Sequence, residues 1–291
     1  MSLAEILETK DFVVTVELCP PIGTTIQPLL DQAEKLKSVV DAFNVTDNQR
    51  AVTRMSPVAI CHFLEERGIT SICQFTCRDR NRLALQSEML SAAALGIKNL
   101  LLITGDHTLL GDCPEAKPVF DLDSVQLMAT ANKLNSGKSL AGTLLNGRTS
   151  FYIGGVVNPA PEVREMQIWK LARKVNAGMK FVQTQAIYDS KEFIKFLEDI
   201  RDFNIHVLAG IIPLKSAKMA RFLNSKIPGI QVPEHLIQRL ERAANPKEEG
   251  IRIARELIDE LRNYCKGVHI MPLGMEEHLP ELLGMPAAPS Y

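Results

Sequence analysis

Between Ile97 and Thr108 the chain reads IKNLLLITGDHT. Leu100, Leu101, Leu102 and Ile103 form an unbroken apolar run, ended by Gly105 and Asp106. Such a run has no polar face, so it predicts a short strand buried on both sides. Apolar residues at helical spacing precede it from Arg82 to Leu95, and Gly96 closes them. A helix thus feeds a buried strand whose C-terminal end carries Thr104, Gly105, Asp106, His107 and Thr108. In parallel α/β folds that end is where ligands bind.

The unit recurs along the chain. Strands are predicted at Phe12–Glu17, Asp41–Thr46, Thr70–Thr76, Ile97–Ile103, Tyr152–Val157, Phe181–Gln185, His206–Ile212 and Gly267–Met271. Helices are predicted at Thr25–Ser38, Pro57–Arg67, Arg82–Leu95, Ser124–Asn135, Glu162–Ala177, Lys191–Phe203 and Ser216–Asn224. Two more, Glu234–Ala243 and Pro246–Tyr264, precede the last strand. Strict alternation implies a parallel sheet with right-handed crossovers. Eight strand units favour a closed (β/α)8 TIM barrel, a single domain over residues 1–291. An open dinucleotide-binding sheet would carry a Gly-rich fingerprint after its first strand, where this chain reads ELCPPIG. The glycine pair in YIGGVV implies a close approach by another backbone or a ligand. Gly284 to Tyr291 reads as a loose terminus.

Charge and cysteine usage narrow the function class. Thirty-three basic and 34 acidic residues leave a net charge of −1, which gives no electrostatic support for nucleic-acid or membrane binding. No apolar run approaches the length of a membrane span. The six cysteines are scattered, without a C-x-x-C pair or a secretory signal, which suggests a reducing cytoplasm. The histidines are dispersed, so a zinc site is not expected.

A barrel brings the strand ends together in one pocket. They carry Glu17, Thr46, Asp47, Asn48, Gln74, Thr76, Thr104, Gly105, Asp106, Asn158, Gln183 and Gln185. Glu17 ends an apolar strand before two prolines, which fits a carboxylate held by turn amides or a general acid. In an apolar barrel mouth its pKa would rise, so that it keeps a proton near neutral pH. Asp106 reads as a loop cap or as an acceptor for a heterocycle N–H, and the Gln185 amide can donate and accept along a heterocycle edge. Arg50, Arg54, Arg78 and Arg80 follow the second and third strands, placed to meet phosphate or carboxylate groups. Arg173 and Lys174, on the helix after the fifth strand, read by themselves as solvent-exposed cations.

The segments VELCPP, FNVTDN, QFTCRDR, LLLITGDHT, RKVNAG, QTQAIYD, GIIP and GVHIMPLG, in this order on successive units, carry a resemblance. From Phe12 to about Leu283 the chain resembles the catalytic barrel of the methylenetetrahydrofolate reductase family. The resemblance implies a flavin, FAD or FMN, and reduction of 5,10-methylenetetrahydrofolate to 5-methyltetrahydrofolate. It implies that Glu17 is the general acid opening the imidazolidine ring and that Asp106 serves both folate and flavin. It places Gln185, with Gln183 beside it, on the substrate. Thr46, Gln74, Thr76, Ile103, Thr104, Gly105, Asp106, Asn158, Arg173 and Lys174 then fall at or beside flavin-contacting positions.

The chain departs from the family where many relatives carry histidine and arginine, for it has Gln74 and Thr104. Asn158 replaces a common tyrosine, and the turn after it reads NPAPEV in place of a histidine-bearing one. Ala217 stands where some relatives place an aromatic against the nicotinamide. The pattern is closest to reductases of acetate-forming anaerobes, some of which pair with a metal-containing subunit. Electrons are therefore expected from NAD(P)H or from a partner subunit, in an oligomer or a heteromeric complex. The rival expectation is a folate-binding barrel subunit of a methyl-transfer or redox complex.

Overall fold

The computed structural model describes residues 2–160, 162 and 164–285. The expected loose tail lies mostly outside them, as do two residues of the NPAPEV turn. A closed parallel barrel is observed in the order β1 (Val13–Leu18), β2 (Ala42–Val45), β3 (Ser71–Thr76), β4 (Asn99–Ile103), β5 (Tyr152–Val157), β6 (Phe181–Ala186), β7 (His206–Ile211) and β8 (Gly267–Ile270). Pairing of Val13 with Gly267 and Val16 with Ile270 closes it. The (β/α)8 expectation is met, and each predicted strand is found within two residues of its predicted bounds.

The helices are α1 (Leu3–Thr9), α2 (Gln27–Leu36), α3 (Pro57–Glu66), α4 (Arg82–Ala94), α5 (Ser124–Asn135), α6 (Arg164–Asn176), α7 (Ser190–Asp199), α8 (Ala217–Lys226), α9 (Glu234–Arg242), α10 (Pro246–Leu261) and α11 (Leu279–Leu282). Caps fix their starts. The Asn81 side chain accepts from Leu83 N and Ala84 N, and Asp123 and Gln126 form a reciprocal capping box on α5. Gly96 ends the α4 segment with φ of 85°, the left-handed turn that lets the chain reverse into β4. None of the described helices is long and apolar enough to cross a membrane.

Two apolar clusters hold the barrel. The larger lies between strands and helices and includes Val16, Phe43, Phe75, Leu100 and Leu102. The smaller fills the bottom of the barrel with Val13, Ala42, Ile72, Leu101, Phe181 and Leu208. Helix α1 closes that end by inserting Leu3, Ile6 and Leu7. Side chains along a strand alternate faces, so residues two and four positions beyond this apolar layer also point inward. Those positions are Thr15 and Glu17, Asn44 and Thr46, Gln74 and Thr76, and Gln183 and Gln185. The inside is thus apolar below and polar above.

One expectation is corrected here. The Gly154–Gly155 pair makes room for side chains. A Cβ at Gly154 would lie 2.2 Å from the Phe181 ring, and one at Gly155 would lie 2.5 Å from Met128. Phe181 stacks on Tyr152 with centroids 5.6 Å apart, so the small residue at Gly154 accommodates the aromatic layer of the lower barrel.

Candidate active site

The strand C-termini surround a cleft of about 700 Å³, a volume typical of small-molecule and cofactor sites. Glu17 lines it from the end of β1. Its Oε1 accepts a 2.6 Å hydrogen bond from Gln49 Nε2. Part of the residue stays open to the cleft while protein crowds the carboxyl group. That burial pushes its pKa up to about 7, against the lowering effect of Gln49 and with a smaller rise from Glu276.

Gln49 opens a 3-10 turn, Gln49–Ala51; Asn48 before it and Arg50 and Ala51 within it have φ of 44°, 58° and 58°. Left-handed backbone at three non-glycine residues costs energy and persists only when surrounding bonds fix it. Here Asn48 Oδ1 accepts from Arg54 N at 2.9 Å, and Arg78 Nη2 donates to Asn48 O at 3.2 Å. Burial pushes the Cys19 thiol up, so it stays protonated and donates to Gln49 Oε1 at 3.3 Å. Thr46 Oγ1 in turn donates to Cys19 Sγ at 3.5 Å. This chain of bonds orients the Gln49 amide with its NH₂ towards Glu17.

Beside it, buried Asp47 accepts from Thr76 N at 2.8 Å and from Thr76 Oγ1 at 2.9 Å, and it pairs with Arg80. Arg80 also meets Glu88 at 2.9 Å. Arg78 is 2% exposed and forms two 2.7 Å bonds with Asp79. The expectation that Arg78 and Arg80 greet an incoming anion is corrected: both guanidiniums are used inside the protein, tying the loops after β2, β3 and β4 together. Exposed Arg50 does line the cleft, whereas Arg54 donates to Pro20 O at 2.8 Å.

Asp106 and Thr104 are exposed at the mouth, with Gly105 between them at φ of 90°. A Cβ at Gly105 would lie 3.0 Å from the Thr76 Cβ, so glycine is required by both conformation and space. Ile103 packs down on the lower cluster and Gln74 lines the wall. Beneath the floor, fully buried Asn44 reaches Gln183 Oε1 through its Nδ2 at 3.4 Å, while Asn44 Oδ1 and Gln183 Nε2 have no partner among the described residues. Gln185 Oε1 accepts from Ala186 N at 3.1 Å, leaving its NH₂ end to the cleft. Buried His269 completes the floor; its Nδ1 shares a 3.0 Å bond with Thr15 Oγ1, and burial drops its pKa to about 3, which keeps the ring neutral.

The opposite wall is α6. Lys174 Nζ donates to Val156 O at 2.6 Å, and burial lowers its pKa to about 8. The Arg173 guanidinium lies 4.9 Å over the exposed Trp169 ring. Asn158 Oδ1 accepts from Ala160 N at 3.0 Å, and its amide faces Gly229, where a Cβ would lie 1.8 Å away. All the strand-end residues singled out in the sequence line this one cleft. Sequence reasoning missed Gln49, His269 and Trp169 as site residues. Counting alternate positions inward along β8 would have found His269. Nothing local marks Gln49.

The fold and cleft define an α/β barrel whose mouth holds a protonatable carboxyl group among amides, with cations at the rim. The family model for methylenetetrahydrofolate reductase matches residues 2–285, and the chain belongs to that family. Methylenetetrahydrofolate reductase 2 of Schizosaccharomyces pombe is 25% identical over 259 residues, covering 82% of this chain and 39% of the yeast protein. The chain therefore spans about two fifths of that relative. The 5,10-methylenetetrahydrofolate reductase of Salmonella typhimurium is 22% identical over 274 residues, covering 91% of this chain and 87% of its own length. Among solved structures, a Clostridium thermocellum protein described as binding two copies of 5-methyl-5,6,7,8-tetrahydrofolic acid superposes with a TM-score of 0.63. It is 17% identical and 96% of each chain is covered. That likeness shows the shared barrel.

Proposed function

We infer that this chain, as a single barrel over residues 1–291, reduces 5,10-methylenetetrahydrofolate to 5-methyltetrahydrofolate with a bound flavin, FAD or FMN. The observation that carries the reading is the Glu17 carboxyl, held near neutral pKa at the cleft and bonded through one oxygen to Gln49. An acid of that strength is matched to protonating a weakly basic ring nitrogen at physiological pH. Family membership and the names of the Salmonella and Clostridium proteins support the folate.

The donor set fits a flavin. Thr46, Gln74 and Thr104 line the cleft with polar groups that suit a heterocycle edge, and Arg50, Lys170 and Arg173 at the rim suit an anionic tail. Thr46, Gln74, Thr76, Ile103, Thr104, Gly105, Asp106, Asn158, Arg173 and Lys174 are the residues that would hold it, through side chains, backbone or shape. When bound and reduced, it would supply the hydride.

The chain's own groups do the rest. Glu17 gives its proton to the imidazolidine nitrogen, the ring opens, and the methylene carbon becomes the electrophile. Gln185 and Gln183 hold the pterin edge with their amides. Asp106 accepts a pterin N–H and sets the field at the mouth.

A second reading, a folate-binding subunit that takes electrons from a partner, is favoured by one observation. Asn158 Oδ1 and Lys174 Nζ already bond the protein backbone, which leaves fewer groups for a cofactor tail. The visible spectrum of the purified chain under anaerobic conditions separates the two. Yellow protein bleached by NADH or NADPH and re-oxidised by the folate supports a self-sufficient reductase. Yellow protein that only a chemical reductant bleaches supports partner-fed electrons. Glu17→Gln is expected to keep any flavin and its reduction while losing about 10²- to 10⁴-fold in folate reduction. Undiminished folate reduction in that variant overturns the assignment.

A further inference from the structure

Glu17 is lined by protein cavities on two sides. Behind it, away from the main cleft, lies a second chamber of about 270 Å³ between the start of α2 and the loop after β8. Glu17, Gln49 and Leu273 are the residues that line both spaces, so they form the partition between them. Leu273 holds φ of 45°, uncommon for a bulky side chain, and Gly274 follows at 81°. Gly274 N donates to Glu276 Oε1 at 2.9 Å, which fixes this turn. The chamber is polar on the far side. Exposed Glu276 stands at its outer edge, and half-buried Gln32 lines it. Its volume equals that of about nine liquid waters.

We propose that this chamber is the route by which Glu17 recovers its proton in each turnover, with Glu276 as the group that gathers protons at its mouth. The inference rests on the reading of Glu17 as the acid. The product equals the substrate plus one hydride and one proton. The hydride comes from a reduced flavin and the proton from Glu17, whose carboxylate must then be recharged from solvent. Folate stacked in the cleft covers the front of Glu17, while the chamber leaves the back in reach of water. Proton transfer runs from solvent to Glu276, through chamber water beside Gln32, to Glu17. The charged and titratable groups around the route are Glu17 and Cys19 from β1 and its turn, Arg54 from the loop after β2, Lys215 from the loop after β7, whose Nζ stands against Gly274, and Glu276. His269 lies across the partition on the cleft floor.

The test compares first and later turnovers. Enzyme pre-reduced at a pH below the Glu17 pKa starts with the proton already loaded, so a single turnover does not use the route. Glu276→Gln and the chamber-filling Leu29→Phe are expected to keep the first turnover and to slow steady-state turnover about tenfold, with imidazole buffer restoring Glu276→Gln alone. The neighbouring Glu277→Gln, outside the chamber, is expected to match wild type. Equal loss in both phases, or no loss in either with Glu276→Gln, overturns the proposal. The role of Glu17 is tested separately: if Glu17→Gln keeps its first turnover, the acid assignment itself has failed.

Discussion

Gln49 Nε2 donates a 2.6 Å hydrogen bond to Glu17 Oε1 while Gln49 Oε1 accepts from the Cys19 thiol at 3.3 Å. The amide is therefore held from both ends, and the proton of neutral Glu17 resides on Oε2. A donor bonded to a carboxylate favours its charged form, so Gln49 opposes the rise that burial causes. Gln49→Leu removes that opposition, and the Glu17 pKa climbs above about 7. Activity needs protonated Glu17, so the alkaline fall in folate reduction should move to higher pH by about one unit or less. The pH–rate profile of the folate half-reaction checks this; a downward shift would rule the assignment out.

The same carboxyl should destabilise the fold at high pH. Its pKa is raised from the ordinary 4.5 to about 7, so the folded state binds the proton more tightly than the unfolded state. Below 4.5 both states are protonated and ionisation costs nothing. Between 4.5 and 7 the cost grows, and above 7 it is complete, at most about 3 kcal/mol. Glu17→Gln cannot ionise. It is expected to melt higher than wild type near about pH 8 and to lose that advantage near 4.5. Calorimetry across this range reads it directly, and a constant difference at all pH values would contradict the argument.

Asp106 stands exposed at the mouth on the turn fixed by Gly105. As a negative charge beside the cofactor position it disfavours the electron-rich reduced state. Asp106→Asn should raise the flavin potential and slow folate reduction by about tenfold or more. Potentiometric titration and stopped-flow rates on the same preparation test both. An unchanged rate would remove Asp106 from the site.

The barrel was legible because each unit pairs a doubly buried apolar run with a helical repeat, and the strand ends follow from that register. Helix α1 was not, because LAEILET is short and its apolar residues acquire a partner only once the lower barrel exists. Gly154 and Gly155 signalled close approach without saying what approaches, and the Phe181 ring proved to be the neighbour. Arg80 looked free because Asp47 meets it only through the folded loops, and Arg78 because neither its pairing with the adjacent Asp79 nor its burial against Asn48 O and Asp106 O shows in the sequence. Gln49 was hidden for the same reason, since its position depends on three left-handed residues that the sequence alone does not mark.

The Asp47–Arg80 pair yields the sharpest test of this internal wiring. Asp47 is 4% exposed and its other donors are both on Thr76. Arg80 also lies over the Phe75 ring at 5.4 Å and reaches Glu88. Arg80→Met fills similar space but leaves the Asp47 charge buried without its cation. Breaking a buried pair in this way costs about 3–5 kcal/mol, a fall in melting temperature on the order of 10 °C for a chain of this size. Asp47→Asn in the same background should recover much of the loss, because it removes the stranded charge. Arg82→Met, which breaks the exposed pair with Asp121, should leave the melting temperature unchanged. If Arg80→Met also leaves it unchanged, Asp47 and Arg80 do not brace the cleft wall.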